Sequence, residues 1–144
     1  MAKPELKILI GLHRAVNYID RQSAKLFSGY GLTMGQFAVL EALYHKGDLT
    51  VGQVQEKILS SSGTIPLIIN NLEKRNLLAR LPDPCDKRRC ILHITKEGSA
   101  LLAEVYPQNE AKIIELMKLW SPEEKEQLVY LLKKLGEEAN GKKN

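Results

Sequence analysis

The sequence predicts a mainly α fold that carries one small β-hairpin, and three observations predict it. Apolar residues recur at helical spacing through most of the chain. Two short helical stripes are separated by a serine-rich break. Two brief apolar runs, Leu77-Leu78-Ala79-Arg80-Leu81 and Ile91-Leu92-His93-Ile94, bracket a knot of prolines, aspartates and basic residues.

Each element follows in order. Leu6, Leu9, Ile10, Val16, Ile19, Leu26 and Phe27 give a helix over 5–27 that Gly29 and Gly31 end. Thr33 is the N-cap of a second helix whose apolar face holds Phe37, Leu40, Ala42, Leu43 and Tyr44, and Lys46-Gly47-Asp48 is a turn. Thr50 caps a third helix, with Val51, Val54 and Ile58 at i, i+3 and i+7. Ser60-Ser61-Ser62-Gly63 then breaks the chain. Ile65, Ile68, Ile69 and Leu72 form the next stripe, running to about Asn76. Proline is tolerated only in the first turn of a helix, so Pro66 requires this helix to start at Ser62 to Thr64. Two short helices joined by such a turn are the layout of a helix-turn-helix. Ser and Thr there are ordinary capping residues, and unpaired N–H groups at the same end also suit phosphate.

Pro82-Asp83-Pro84 cannot continue a central ladder and reads as a turn between two strands. Thr95 caps a further helix with Leu101, Leu102 and Val105. Pro107 kinks it, and Ile113, Leu116, Met117 and Trp120 carry it on. Ser121-Pro122-Glu123-Glu124 starts the last helix with an N-cap, a proline at N1 and a glutamate at N3. Its stripe is Leu128, Leu131, Leu132 and Leu135, and the polar tail 137–144 frays.

Composition bounds the function. The chain has 144 residues, 44% hydrophobic and 26% charged, as expected of one soluble domain with a real core. No apolar run is long enough to span a bilayer, and the start, MAKPELKILIGLHRAV, lacks a signal-peptide cleavage site, so a cytoplasmic protein without membrane contact is expected. Two cysteines, Cys85 and Cys90, make no disulfide framework. No Gly-rich phosphate loop, His-Glu-x-x-His or nucleophile motif is present, so no enzyme is expected, nor a cofactor or metal. His13, His45 and His93 are widely spaced; His13 reads as packed or pocket-lining, and His93 as facing out beside the hairpin.

The net charge is +4, but its distribution says more. Lys57, Lys74, Arg75, Arg80, Lys87, Arg88, Arg89 and Lys96 lie within one segment, opposed only by Glu73, Asp83 and Asp86. That segment carries +5 and the remainder −1. A basic patch on a near-neutral body fits a nucleic-acid binder, and equally a solvated charged face. A hairpin after a helix-turn-helix is a wing, and an arginine at its tip is the right size and charge for a minor groove. Asp86 and Arg88 are i and i+2, on one face of an extended strand, so the carboxylate can hold the guanidinium in a fixed rotamer.

The stretch DPCDKRRCILHITKEG resembles the wing of the MarR family of bacterial transcriptional regulators: Asp-x-Arg at Asp86 and Arg88, an apolar strand at Ile91 to Ile94, then Ile94-Thr95 with Gly98. SSSGTIPLIINNLEKRNLL is similar to that family's recognition helix, ending in Leu72-Glu73-Lys74-Arg75. Leu32-Thr33 through Gln36-Phe37-Ala38-Val39-Leu40 resembles its second helix. Nearly the whole chain is covered. The resemblance implies a single domain over 1–144, with dimerisation helices at 1–30 and 99–144 and a winged helix-turn-helix over 31–98. It implies a homodimer that binds a pseudo-palindromic duplex operator, with recognition helices in successive major grooves. It also implies a repressor relieved by a small aromatic or phenolic effector. Where the family often has Thr-Arg, this chain has Pro66-Leu67, so base contacts do not carry over directly.

By position, Ser61, Ser62, Thr64, Pro66, Leu67, Asn70, Asn71 and Lys74 are the recognition-helix candidates. Asp86, Lys87, Arg88 and Arg89 are those of the wing. Asparagine suits an adenine edge, and Leu67 or Pro66 a thymine methyl. Lys87 and Arg89 read as phosphate neighbours or as solvated charges. Two other readings stay open. One is a helical dimerisation module that binds protein. The other is a thiol-based redox regulator, in which the hairpin arms bring Cys85 and Cys90 together.

Overall fold

The computed structural model describes residues 3–58 and 64–141, with side chains described to residue 137. Helix α1 spans Pro4–Ser28, α2 Met34–Lys46, strand β1 Leu49–Thr50, α3 Val51–Lys57, α4 Thr64–Lys74, β2 Leu78–Pro82, β3 Cys90–Ile94, α5 Lys96–Leu116 and α6 Pro122–Gly141. The chain forms two compact units, one to Lys112 and one from Ile113.

The helix starts are local chemistry. The Thr33 hydroxyl accepts from the Gln36 N–H while the Gln36 side chain accepts from the Thr33 N–H, and Thr50 with Gln53 repeats this arrangement. Ser121 and Glu124 make the same reciprocal pair at α6. Such caps satisfy two otherwise orphaned N–H groups at once. Proline at N1 opens α1, and Gly29 closes it.

In the first unit one core joins the helices to the sheet. Phe27, Phe37, Val39, Leu40, Leu43, Val54, Ile65, Ile69, Leu72, Leu78, Leu92, Leu102 and Val105 are almost fully buried. Phe27 and Phe37 stack with centroids 4.1 Å apart, locking α1 to α2. α2 lies against α1, α3, α4 and β3. Arg75 donates to the carbonyls of Gly31 and Tyr30, so one cation of the basic segment closes the end of α1 instead of facing a ligand.

Several expectations are corrected. The hairpin is part of a three-stranded antiparallel sheet of order β1-β3-β2, in which Leu49 faces Leu92 and Thr50 faces Ile91. Pro82 is not in the turn but is the last residue of β2, opposite Cys90. β2 is an edge strand, where a missing N–H breaks no ladder bond. The same register puts Pro82, not Cys85, across from Cys90, and both thiols are free. α5 runs through Pro107 and ends at Leu116 instead of reaching Trp120; tight turns such as Trp120 N–H to Met117 O lead into the Ser121 cap. α6 continues to Gly141, past the point where the polar tail was expected to fray. His13 is exposed on α1 and not packed. His93 does face out, hydrogen-bonded through Nδ1 to Asp48 Oδ1 at 2.7 Å.

Candidate nucleic-acid interface

The recognition helix is built by a division of faces. Ile65, Ile68, Ile69 and Leu72 turn inward on α4, none more than 7% exposed. Thr64, Pro66, Leu67, Asn70, Asn71 and Lys74 all lie exposed on the outer side, Leu67 at 61%. An apolar side chain left that open on a helix with a saturated inner face has no role in this core. Pro66 sits in the first turn, where it costs no hydrogen bond. Ser61 and Ser62 lie outside the described residues.

The wing is fixed to α4 by two close joints. Asn76 adopts φ 60°, and the Leu77 N–H bonds back to the Leu72 carbonyl, a left-handed helix end that turns the chain straight into β2. At the other end the Thr95 hydroxyl donates to the Asn76 carbonyl and accepts from the Gly98 N–H, while the Thr95 N–H donates to the Leu77 carbonyl. A Cβ on Gly98 would stand 2.1 Å from the Leu77 oxygen. The Thr-x-x-Gly pattern is therefore both a cap and a close approach of two backbones.

The tip, residues 83–89, is a folded loop and not extended strand. Asp86 Oδ1 accepts from the backbone N–H of Arg88 at 3.0 Å and from its Nε at 3.3 Å. The expected Asp86–Arg88 contact is present, but a turn closed by the aspartate makes it, not a shared strand face. Those two bonds, the backbone one first, hold the Asp86 carboxyl below its ordinary value, and Arg89 adds to the effect. Arg88 is held at Nε, yet its side chain is 91% exposed, so solvent reaches most of the guanidinium. Arg89 plays another part. Its Nε lies 3.6 Å from both Asp83 and Asp86, tying the loop together. Asp83, buried, also accepts from the Cys85 N–H at 2.8 Å. Lys87 is exposed at the tip. Arg88, Arg89 and Cys90 share an open hollow with Thr50, Val51 and Gly52 at the start of α3.

One residue of this surface, legible in the sequence only as part of the basic segment, gains a place at the recognition helix. Arg80 on β2 donates through Nη2 to Asn70 Oδ1, and its Nε stands 3.9 Å from Glu73. Only the sheet register, which sets Arg80 opposite Leu92 and beside the outer face of α4, brings it there. Among the described residues no group of three or more His, Cys, Asp or Glu side chains could hold a metal ion. No helix of the described residues is long and apolar enough to cross a membrane.

Comparison with known proteins agrees with this geometry. The model of the MarR family matches residues 32–90, from the Leu32 that precedes α2 to the first residue of β3. The HTH-type transcriptional regulator MhqR of Bacillus subtilis is 39% identical over 136 residues, spanning 94% of each chain. The structure of Bordetella bronchiseptica BpsR, solved in a study of how 6-hydroxynicotinic acid regulates its DNA binding, superposes with a TM-score of 0.84. It is 28% identical and covers 94% of this chain and 97% of its own. Apo MarR of E. coli superposes at 0.75 with 25% identity, covering 94% and 98%. On its recognition helix, its wing and its likeness to these regulators along almost its whole length, the chain belongs to the MarR family.

Proposed function

We propose that this chain is a transcriptional regulator that binds double-stranded DNA as a homodimer, with α4 in the major groove and the wing tip in the adjacent minor groove. One observation carries the reading. The outer face of α4 presents Thr64, Pro66, Leu67, Asn70, Asn71 and Lys74 together with Glu73, all exposed, and the wing tip carries Arg88, held at Nε by Asp86 and 91% exposed. Thr64, Pro66, Leu67, Asn70, Asn71 and Lys74 are assigned to bases and adjoining phosphates, Arg88 to the minor groove and Lys87 to phosphate. Asp86 and Arg89 serve by shaping the loop. Ser61 and Ser62 retain their assignment from sequence position alone.

Dimerisation is assigned to the N- and C-terminal helices. On α1, Leu6, Ile8, Leu9, Ile10 and Val16 are each about half exposed or more, and on α6 Val129, Tyr130, Leu131, Leu132 and Leu135 are likewise open. Apolar groups in such numbers on one helix mark a surface that another chain covers. A small aromatic effector that weakens DNA binding is inferred from BpsR, whose DNA binding 6-hydroxynicotinic acid regulates. No reaction is assigned to the protein, and it is placed in the cytoplasm with its DNA.

Fluorescence anisotropy tests the reading, using a labelled duplex from the region upstream of the gene and unlabelled unrelated duplex as competitor. Affinity should fall steeply with salt, by a log–log slope of about 0.9 for each phosphate neutralised, and should exceed non-specific binding about 1,000-fold or more. A protein with no preference over competitor at any salt would instead be a protein-binding module on this fold.

A further inference from the structure

We propose that Arg80 is a specificity-determining residue: it fixes Asn70 as a hydrogen-bond donor, so that the pair favours guanine at one position of each half-site. The proposal rests on the DNA-binding reading above and deepens it. Asn70 stands in the middle of the exposed face of α4. A free asparagine reads adenine with both ends of its amide, donating to N7 and accepting from the N6 amino group. Asn70 is not free in this way, because its Oδ1 already accepts from Arg80 Nη2.

The direction of the amide is settled by chemistry. Arginine has five donors and no acceptor, so the atom turned toward it must be the asparagine oxygen. The amide nitrogen, with its two hydrogens, is left as the end available to a ligand. An incoming adenine amino group would have to use the second lone pair of that oxygen, beside a charged donor already seated on the first, and hydrogen bonds from ionised donors are about twice as strong as neutral ones.

Arg80 is itself well placed to hold this arrangement. Its backbone is registered opposite Leu92, which is fully buried, so its starting point is rigid. Glu73, one turn along α4 from Asn70, draws its Nε side at 3.9 Å. The exposed surface thus joins the amide hydrogens of Asn70 to the remaining guanidinium hydrogens of Arg80, with the amide oxygen turned toward Arg80. Guanine is the base whose major-groove edge offers two acceptors, N7 and O6, and no donor.

The test measures dissociation constants for wild type, Arg80→Ala, Asn70→Ala and the double variant. The panel is an operator, selected from randomised duplex, with each base pair of a half-site substituted in turn. Wild type should prefer guanine at one position by roughly 5- to 150-fold. Arg80→Ala should shift that position toward adenine or erase its preference while leaving the others intact. Asn70→Ala should lose the same position, and the double variant should discriminate there no worse than Asn70→Ala alone. If Arg80→Ala lowers the melting temperature, Arg80→Met, which keeps the stem and carries no donor, takes its place.

A uniform loss over all duplexes with a salt slope shallower by about one would make Arg80 a phosphate contact and overturn the proposal. Unchanged base preferences in Arg80→Ala would reduce the contact to a surface tie and overturn it equally. A wild type that selects no sequence would overturn the DNA-binding reading first and this assignment with it.

Discussion

Replacing Gly98 with alanine tests the joint on which the wing depends. The added Cβ would lie 2.1 Å from the Leu77 carbonyl oxygen and 2.8 Å from Ile94 Cγ1. An ordinary contact is about 3.5 Å, so the carbonyl must retreat by more than about 1 Å. It cannot do so freely, since it accepts from the Thr95 N–H at 3.1 Å and immediately precedes β2, whose first residue Leu78 pairs with Ile94. Overpacking of this kind costs about 1–3 kcal/mol, and losing the Thr95 bond about 1 kcal/mol more. Alanine is the better helix former by about 1 kcal/mol, which offsets part of the loss. The net is about 2 kcal/mol, or a fall in Tm of roughly 4–8 °C for a chain of this size. Differential scanning calorimetry at matched protomer concentration reads it, because a dimer's Tm depends on concentration. A Tm equal to or above that of wild type would mean that α5 and the start of β2 do not approach as described.

Two further outcomes follow from the loop and helix ends. Asn76→Ala, at φ 60°, should destabilise the chain by about 1 kcal/mol in urea melts, whereas Asn76→Gly should be neutral or stabilising; equal costs for both would point to the side chain instead of the backbone. The Asp86 carboxyl is depressed by its bonds from Arg88, so its support of the tip is complete above the ordinary value of 3.8 and is lost only as pH falls through the lower folded value. The Asp86 carboxyl carbon followed by NMR should therefore titrate below 3.8, with the tip unchanged from pH 8 to pH 5; a midpoint above 3.8 would contradict the bonding.

Much of this was legible in the chain because its signals are local. The inward stripe of α4, the caps at Thr33, Thr50 and Ser121, and the first-turn place of Pro66 each depend on residues within one or two turns. What escaped depends on distant partners. β1 is two residues long and shows no alternation; only its pairing with β3 makes it a strand. Pro82 joins the ladder because β2 lies at the edge, a fact of sheet order. The Asp86–Arg88 contact was read correctly and its backbone wrongly, since a turn and a strand both bring i and i+2 together. Arg80 meets Asn70 across ten residues, through a register that the pattern of apolar residues does not specify. The basic segment, for the same reason, divides in the fold. Arg75 and Arg89 are engaged within the protein, and Arg88 reaches outward.

Arg88→Ala carries the most direct test of the account. Its side chain is 91% exposed, so the variant should keep the wild-type Tm. By anisotropy on the operator duplex, across a salt series, it should lose about 1–3 kcal/mol of specific binding and retain its weak binding to unrelated DNA. Wild-type affinity and specificity in the variant would contradict the claim that this wing reads DNA.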